Sequence, residues 1–398
     1  MNPDQETLRL AAASGLLVLS AFCAHLLLLS ERHREVRLPL ALFFVVTALE
    51  LLAVPVAYIL GDDGAGIVTL ALELAEVPLT MAKPFLLWLY VLRLTRDPTQ
   101  DAPSPRWILH ALPIGIAAAL YIYILLLPPE LLSGLKPNAE DLGRLQRIAL
   151  FGLYGATVLF YGLVPVYAML ILRRLRRYRS RLKDLFASTE NRELAWAWWL
   201  TSAVVVFWSF NIIAIAVSLL APDWPGATLF DSLLAAIVVN YVLLWSIAVW
   251  GTRQNPGILP PPDRLPSAPH PSQPVRKYGK SGLSDGRLDR IARKIEALMR
   301  DQHLYLEPDL SLWDLADRVG VTTHYASQAL NETIGDSFFD YVNRWRIRAA
   351  AEQLKSSDAS ILTIAYDVGF NSRSSFYTAF KRELGVTPSQ YRAHQGDA

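Results

Sequence analysis

Apolar and polar positions along this chain follow two different rhythms, which change over near residue 250. Before that point, long apolar stretches fall at about 8–29, 38–60, 67–92, 107–127, 148–172, 194–220 and 228–250, separated by short polar loops. A helix rises about 1.5 Å per residue, so each stretch is long enough to cross roughly 30 Å of hydrocarbon. One such stretch alone also fits a buried core helix, but seven cannot share a single soluble core. The expected architecture is all-α, opening with a seven-helix transmembrane bundle over 1–250.

Past residue 286 the apolar positions recur at helical spacing in short segments. Between Ser311 and Gly320, Leu312, Leu315, Ala316 and Val319 share one face, Ser311 is placed to cap the free N–H groups, and Asp314 sits in the first turn. Gly320 ends that helix, after which Thr322 can cap a second one over Thr323 to Thr333. The second helix buries Ala326 and Leu330 and turns His324, Ser327, Gln328 and Asn331 outward. The same grammar returns about 49 residues on, counted from Gly320 to Gly369. Ile361 to Gly369 is the repeat's first helix and turn; Ser372 to Leu384 is its second helix, burying Phe376 and Phe380 and exposing Arg373, Ser374, Tyr377 and Lys381. Phe338 to Leu354 links the two units as one helix, and Leu288, Ile291, Ile295 and Leu298 mark a leading helix. A short helix, a Gly turn and a second helix with a polar outer face is the arrangement that places a recognition helix in a DNA major groove. A single such pair is common in all-α cores; two in tandem are not.

These residues resemble the AraC/XylS family of transcription regulators from about Leu288 to Arg392. The resemblance is densest at Ile364-Ala-Tyr-Asp-Val-Gly-Phe370, then at Phe376, Phe380-Lys-Arg-Glu-Leu-Gly385, Thr387-Pro-Ser389 and Tyr391-Arg392. It implies a C-terminal tandem helix-turn-helix DNA-binding domain whose base-edge contacts fall at His324, Ser327 and Gln328 in the first unit and Arg373, Ser374 and Tyr377 in the second. The chain departs from the family pattern at Leu330-Asn331, where an aromatic followed by a basic residue is usual, and at Ala326, where a larger apolar residue is usual. The first recognition helix is accordingly expected to grip phosphate less firmly than the second.

Charge refines this picture. Formal net charge is only +2 and the C-terminal part is not strongly basic, so phosphate attraction alone would bind DNA poorly. Specificity is expected from Arg373, Gln328 and their neighbours reading base edges, with Arg373 meeting guanine. Asp336, Asp340, Glu352 and Asp358 are expected to be solvated surface charge. In the first part, loops holding Arg32, Arg34 and Arg37, then Arg93, Arg96 and Arg106, then the run from Arg173 to Lys183, alternate with loops holding Asp62 and Asp63, Glu130 with Glu140 and Asp141, and Asp223. Basic loops stay in the cytoplasm, which places the N-terminus outside and the C-terminus inside a bacterial inner membrane. Asp4 and Glu6 precede Arg9 without a small-residue cleavage pattern, so the first stretch is expected to be a retained span.

Residues 251–286 are rich in Pro and Ser and are expected to form an extended tether, on the order of 100 Å long in polyproline geometry, ahead of a DNA-binding domain over 287–398. Cys23 is the only cysteine, and no nucleotide-binding or zinc-ligand spacing is present, so no catalytic residue, cofactor or metal is expected and the chain is not expected to be an enzyme. Chemistry inside the apolar stretches is confined to a few charges. Glu50 lies mid-way in the second; Glu73, Glu76, Thr80 and Lys83 lie in the third, within about 80° of one another on a helical wheel. A charge at bilayer depth costs at least about 2.5–3.5 kcal/mol, so such groups face a partner or a site. Glu50, Glu73, Glu76 and Lys83 are therefore candidates for an intramembrane sensing site, or else include a buried Glu–Lys pair that fixes helix packing. Pro78 and Pro84 are expected to interrupt that helix.

The reading that unites these features is a membrane-bound one-component regulator that senses a signal at the membrane and binds promoter DNA. Its expected partners are double-stranded promoter DNA and membrane lipid, with RNA polymerase, a second copy of the chain and an unidentified inducer as further candidates. The alternatives are a passive membrane anchor, a transporter or channel, or a membrane enzyme, each with a regulatory tail.

Overall fold

The computed structural model describes residues 3–29, 34–64, 66–96, 107–128, 131, 143–190, 194–220 and 282–396. Among these, every regular element is helical, and the only extended pairing is an isolated antiparallel bridge between Phe186 and Ser311. Two compact units form, described separately below: one from the residues up to Leu175 with the helix that begins at Ala195, the other from Arg176 to Glu190 with the C-terminal helices.

The first unit contains α1 (Pro3–Leu29), α2 (Arg34–Leu51), α3 (Ala53–Gly64), α4 (Gly66–Leu94), α5 (Trp107–Leu125), the first part of α6 (Arg144–Leu185) and α7 (Ala195–Leu220). Among the described residues, four helical segments are long and apolar enough to cross a membrane, at Leu10–Leu29, Arg34–Leu60 (α2 with α3), Val68–Leu94 and Arg144–Leu185. Leu109–Leu125 and Trp196–Val206 are shorter apolar helices. Of the seven stretches expected, the one at 228–250 lies outside the described residues.

Three details differ from the sequence pattern. The second stretch breaks at Leu52 into α2 and α3, because Pro55 has no N–H to give Leu51 and its ring crowds the turn before it. In contrast, α4 runs unbroken through both Pro78 and Pro84. Finally, α6 continues past its apolar stretch through the basic run to Leu185, 42 residues in all. From Val166 onward it holds no Gly or Pro and is rich in Leu and Arg, both good helix formers.

Packing in this unit centres on α2, held between α1 and α4, with Leu40, Ala41 and Phe44 fully buried. Its helices also carry bare apolar side chains, among them Ile59, Leu109 and Val158. The basic segments meet at one end. Arg93 donates to Glu35 O at 2.6 Å, and Arg174 donates to Thr95 O at 2.9 Å and Thr95 Oγ1 at 2.8 Å.

The second unit contains α8 (Gly282–Asp301), α9 (Leu312–Val319), α10 (Thr323–Gln328), α11 (Phe338–Ser356), α12 (Ile361–Asp367), α13 (Arg373–Leu384) and α14 (Pro388–Gly396). Helix α8 starts inside the stretch expected to be tether; residues 251–281 lie outside the described part. There are two apolar cores, and α11 serves both. Phe338, Tyr341 and Val342 pack with α8, α9 and α10, whereas Ile347, Ala350 and Leu354 pack with α12 and α13. Between them sits Arg346, fully buried, donating to Tyr305 O at 2.8 Å and Glu307 O at 2.7 Å. Burial pushes its guanidinium down to about 10, against the pull of Glu190 and Asp309. A buried cation is tolerated here because its N–H groups meet oxygen acceptors.

Candidate nucleic-acid interface

Each helix-turn-helix unit is built by caps and a left-handed glycine. In the first, Ser311 Oγ accepts from Asp314 N at 3.3 Å while Ser311 N donates to Asp314 Oδ2 at 3.0 Å, a reciprocal capping box at the start of α9. Gly320, at φ 77°, stops the helix and returns its N–H to Ala316 O. A side chain would be strained in that conformation. Thr322 stands at the N-cap of α10, but its side chain makes no capping bond, contrary to the sequence expectation. Ala326 and Leu330 are buried, and His324 and Asn331 are exposed with Ser327 and Gln328 partly so.

The helix expected to continue regularly to Thr333 instead changes to a π turn over Ala329–Ile334 before Gly335 ends it. Its outer face is self-bonded. Gln328 Nε2 donates to Glu332 Oε2 at 3.1 Å and Asn331 Nδ2 to Ser327 Oγ at 3.2 Å. The carboxylate of Glu332 therefore lies on the face expected to meet DNA, which the sequence reading did not single out.

In the second unit Ser360 caps α12 through Thr363 N at 3.0 Å, and Ser372 caps α13 through Ser375 N at 3.2 Å. Gly369 makes the turn at φ 93°, where a Cβ would meet Leu306 O at 2.8 Å, so that position excludes larger residues. Phe376 and Phe380 are fully buried on the inner face of α13. On the outer face Arg373, Ser374 and Lys381 are exposed, and the Arg373 guanidinium lies 5.0 Å from the centre of the Tyr377 ring. The Tyr377 hydroxyl lies 3.5 Å from Ser389 Oγ. That hydrogen bond, followed by Arg373, holds its phenol below the usual value despite partial burial.

Of the acidic residues expected to be solvated, Asp336 is mostly covered, whereas Asp340 stays partly exposed within a surface ion pair. Asp336 pairs with Arg344; Asp340 accepts from Ser337 Oγ at 2.7 Å and pairs with Arg382 at 2.8 Å, tying α11 to α13. Glu352, as expected, is largely exposed beside Lys355.

The intramembrane candidates divide. Lys83 Nζ donates to both oxygens of Glu50, at 2.8 and 2.5 Å, and Thr80 Oγ1 donates to Glu50 Oε1 at 2.9 Å. Glu50, Thr80 and Lys83 thus form one group joining α2 to α4. Glu73 and Glu76, nearer the start of α4, are exposed. No group of three or more His, Cys, Asp or Glu able to hold a metal occurs among the described residues.

A helix-turn-helix domain family matches residues 315–394. An AraC-like transcription regulator of Streptomyces lividans is 41% identical over 81 residues, covering 20% of this chain and 27% of that protein. The regulatory protein PocR of Salmonella typhimurium is 35% identical over 108 residues, covering 27% of this chain and 33% of PocR. Among solved structures, the C-terminal domain of AraT, a response regulator from Geobacillus stearothermophilus, is 34% identical and is matched over 27% of this chain and 88% of that one, with a TM-score of 0.25. The chain thus spans about a third or less of the length of these two curated relatives. Its C-terminal region holds a helix-turn-helix domain that is similar in sequence to AraC-like transcription regulators.

Proposed function

We propose that this chain is a membrane-bound one-component transcription regulator that binds promoter DNA sequence-specifically through α10 and α13. The observation that carries the reading is the co-occurrence, in one chain, of two capped helix-turn-helix units with exposed polar faces and four helical segments long and apolar enough to cross a membrane. His324, Ser327, Gln328, Arg373, Ser374 and Tyr377 are the base-reading candidates, with Lys381 placed for phosphate. Seven spans, with the N-terminus outside and the C-terminal domain in the cytoplasm, fit the loop charges. The junctions of Arg93 with Glu35 and of Arg174 with Thr95 support that orientation, because they gather three basic segments at one end of the first unit. In this reading the Glu50, Thr80 and Lys83 group is the polar element inside the membrane whose rearrangement reports a signal. One observation favours a passive anchor instead: both Glu50 oxygens are already satisfied by Lys83, which suffices for helix packing.

The direct test is selection from random double-stranded DNA by the full chain reconstituted in lipid nanodiscs. A recurring two-part motif is the expected result. Recovery of DNA with no shared sequence would overturn direct base readout.

A further inference from the structure

The core of the first helix-turn-helix unit includes a residue from far outside the C-terminal region. Ala187, just after α6 and only 1% exposed, belongs to the same buried cluster as Leu310, Leu312 and Leu315. Its N–H donates to Leu310 O at 3.0 Å, and its carbonyl accepts from Asn343 Nδ2 at 3.5 Å. Phe186 pairs with Ser311 across the antiparallel bridge, its ring 5.5 Å from that of Trp313. Ser188 Oγ accepts from Arg346 Nη1 at 3.0 Å, so the buried cation that ties the two cores together also holds this segment. Ser188 and Thr189 are themselves buried. Backbone pairing, apolar burial and a charged donor thus act on four consecutive residues, Phe186 to Thr189.

We propose that the surface formed by Leu310, Trp313, Asn343 and Arg346 is a docking site for the chain's own segment Phe186–Glu190. The DNA-binding unit is then attached to the apolar helices at two places: through this segment at the end of α6, and through the Pro-rich stretch before α8. The first attachment is short, so a change in the apolar helices reaches the reader through a docked contact, and undocking leaves the reader joined only through the Pro-rich stretch. This inference rests on the membrane-bound reading above.

The test uses inside-out membrane vesicles carrying the full chain with a protease site inserted at Asp263 in the Pro-rich stretch. After cleavage the reader fragment should remain with the membranes. In Ala187→Asp, which charges a buried position on the docked segment and leaves the reader's own sequence intact, cleavage should release it. Separately, Phe186→Cys with Ser311→Cys in a Cys23→Ser background should cross-link the two fragments on oxidation. Residues opposed in this kind of antiparallel pair lie about 4.5 Å apart at Cα, within disulfide reach. Release of the unaltered reader to the same extent as in Ala187→Asp, or absence of the cross-link with both thiols free, would overturn the docking. DNA binding by the reader fragment is measured alongside; retention without DNA binding supports the docking while counting against the DNA-reading function.

Discussion

The Arg373 guanidinium lies 5.0 Å from the centre of the Tyr377 ring, one helical turn further along α13. This contact holds a flexible cation over a flat surface at the exposed start of α13, so in the DNA-reading role proposed for that helix less side-chain entropy would be lost on meeting a base edge. Arg373→Ala is expected to cost about 1–3 kcal/mol, confined to one base position. Lys381→Ala should weaken all sequences alike and flatten the salt dependence. Affinities for a set of single-base operator variants separate the two patterns; an even loss across the set for Arg373→Ala would remove its base-reading role.

Tyr377 gives a pH signature. Its hydrogen bond with Ser389 and the charge of Arg373 hold its pKa below the usual 10, so a negative charge appears on the outer face of α13, the face proposed to meet DNA, before ordinary tyrosines ionise. DNA affinity should therefore fall as pH rises through that lowered value, and Tyr377→Phe should abolish this limb while keeping the ring under Arg373. An alkaline loss identical in the variant would assign the effect to other groups.

The first recognition helix carries its own brake. Glu332 accepts from Gln328 at 3.1 Å, and in the proposed DNA-bound arrangement its carboxylate would face the phosphate backbone. Glu332→Gln is expected to tighten binding and steepen its salt dependence. Unchanged affinity at low salt would place Glu332 away from DNA.

The Glu50–Lys83 pair predicts a reciprocal effect on abundance. Removing one partner of a fully buried pair costs about 3–5 kcal/mol, so removing either of the partly buried Glu50 and Lys83 should cost less than that, and replacing both with neutral groups less still. Lys83→Met should lower the amount of folded chain in the membrane, and Glu50→Gln with Lys83→Met should restore it. If the pair also senses, the restored double variant should hold promoter output at one fixed level; inducible output at normal abundance would identify a purely structural pair.

The sequence carried some of these relationships and hid others for identifiable reasons. The helix-turn-helix units were legible because caps and turns are local: Ser311, Ser360 and Ser372 each cap within three residues, and Gly320 and Gly369 adopt the positive φ that their position demands. Thr322 misled because an N-cap residue type does not guarantee its hydrogen bond. The π turn at Ala329–Ile334 leaves no trace in a 3.6-residue period. Lys83 was grouped with Glu73 and Glu76 because a helical wheel describes one helix, while its partner Glu50 lies on another. Ser188 and Arg346, 158 residues apart, leave no periodic signal at all.

The central claim is that one chain is both embedded in the membrane and bound to particular DNA. The most direct measurement cross-links the intact chain to DNA in cells, isolates the membrane fraction, and sequences the DNA that the chain carries with it. The account predicts a small set of promoter regions sharing one motif, present in the membrane fraction and depleted for Arg373→Ala. Recovery of the chain and its DNA only from the soluble fraction, or of membrane-bound chain carrying DNA no more enriched than in Arg373→Ala, would contradict it.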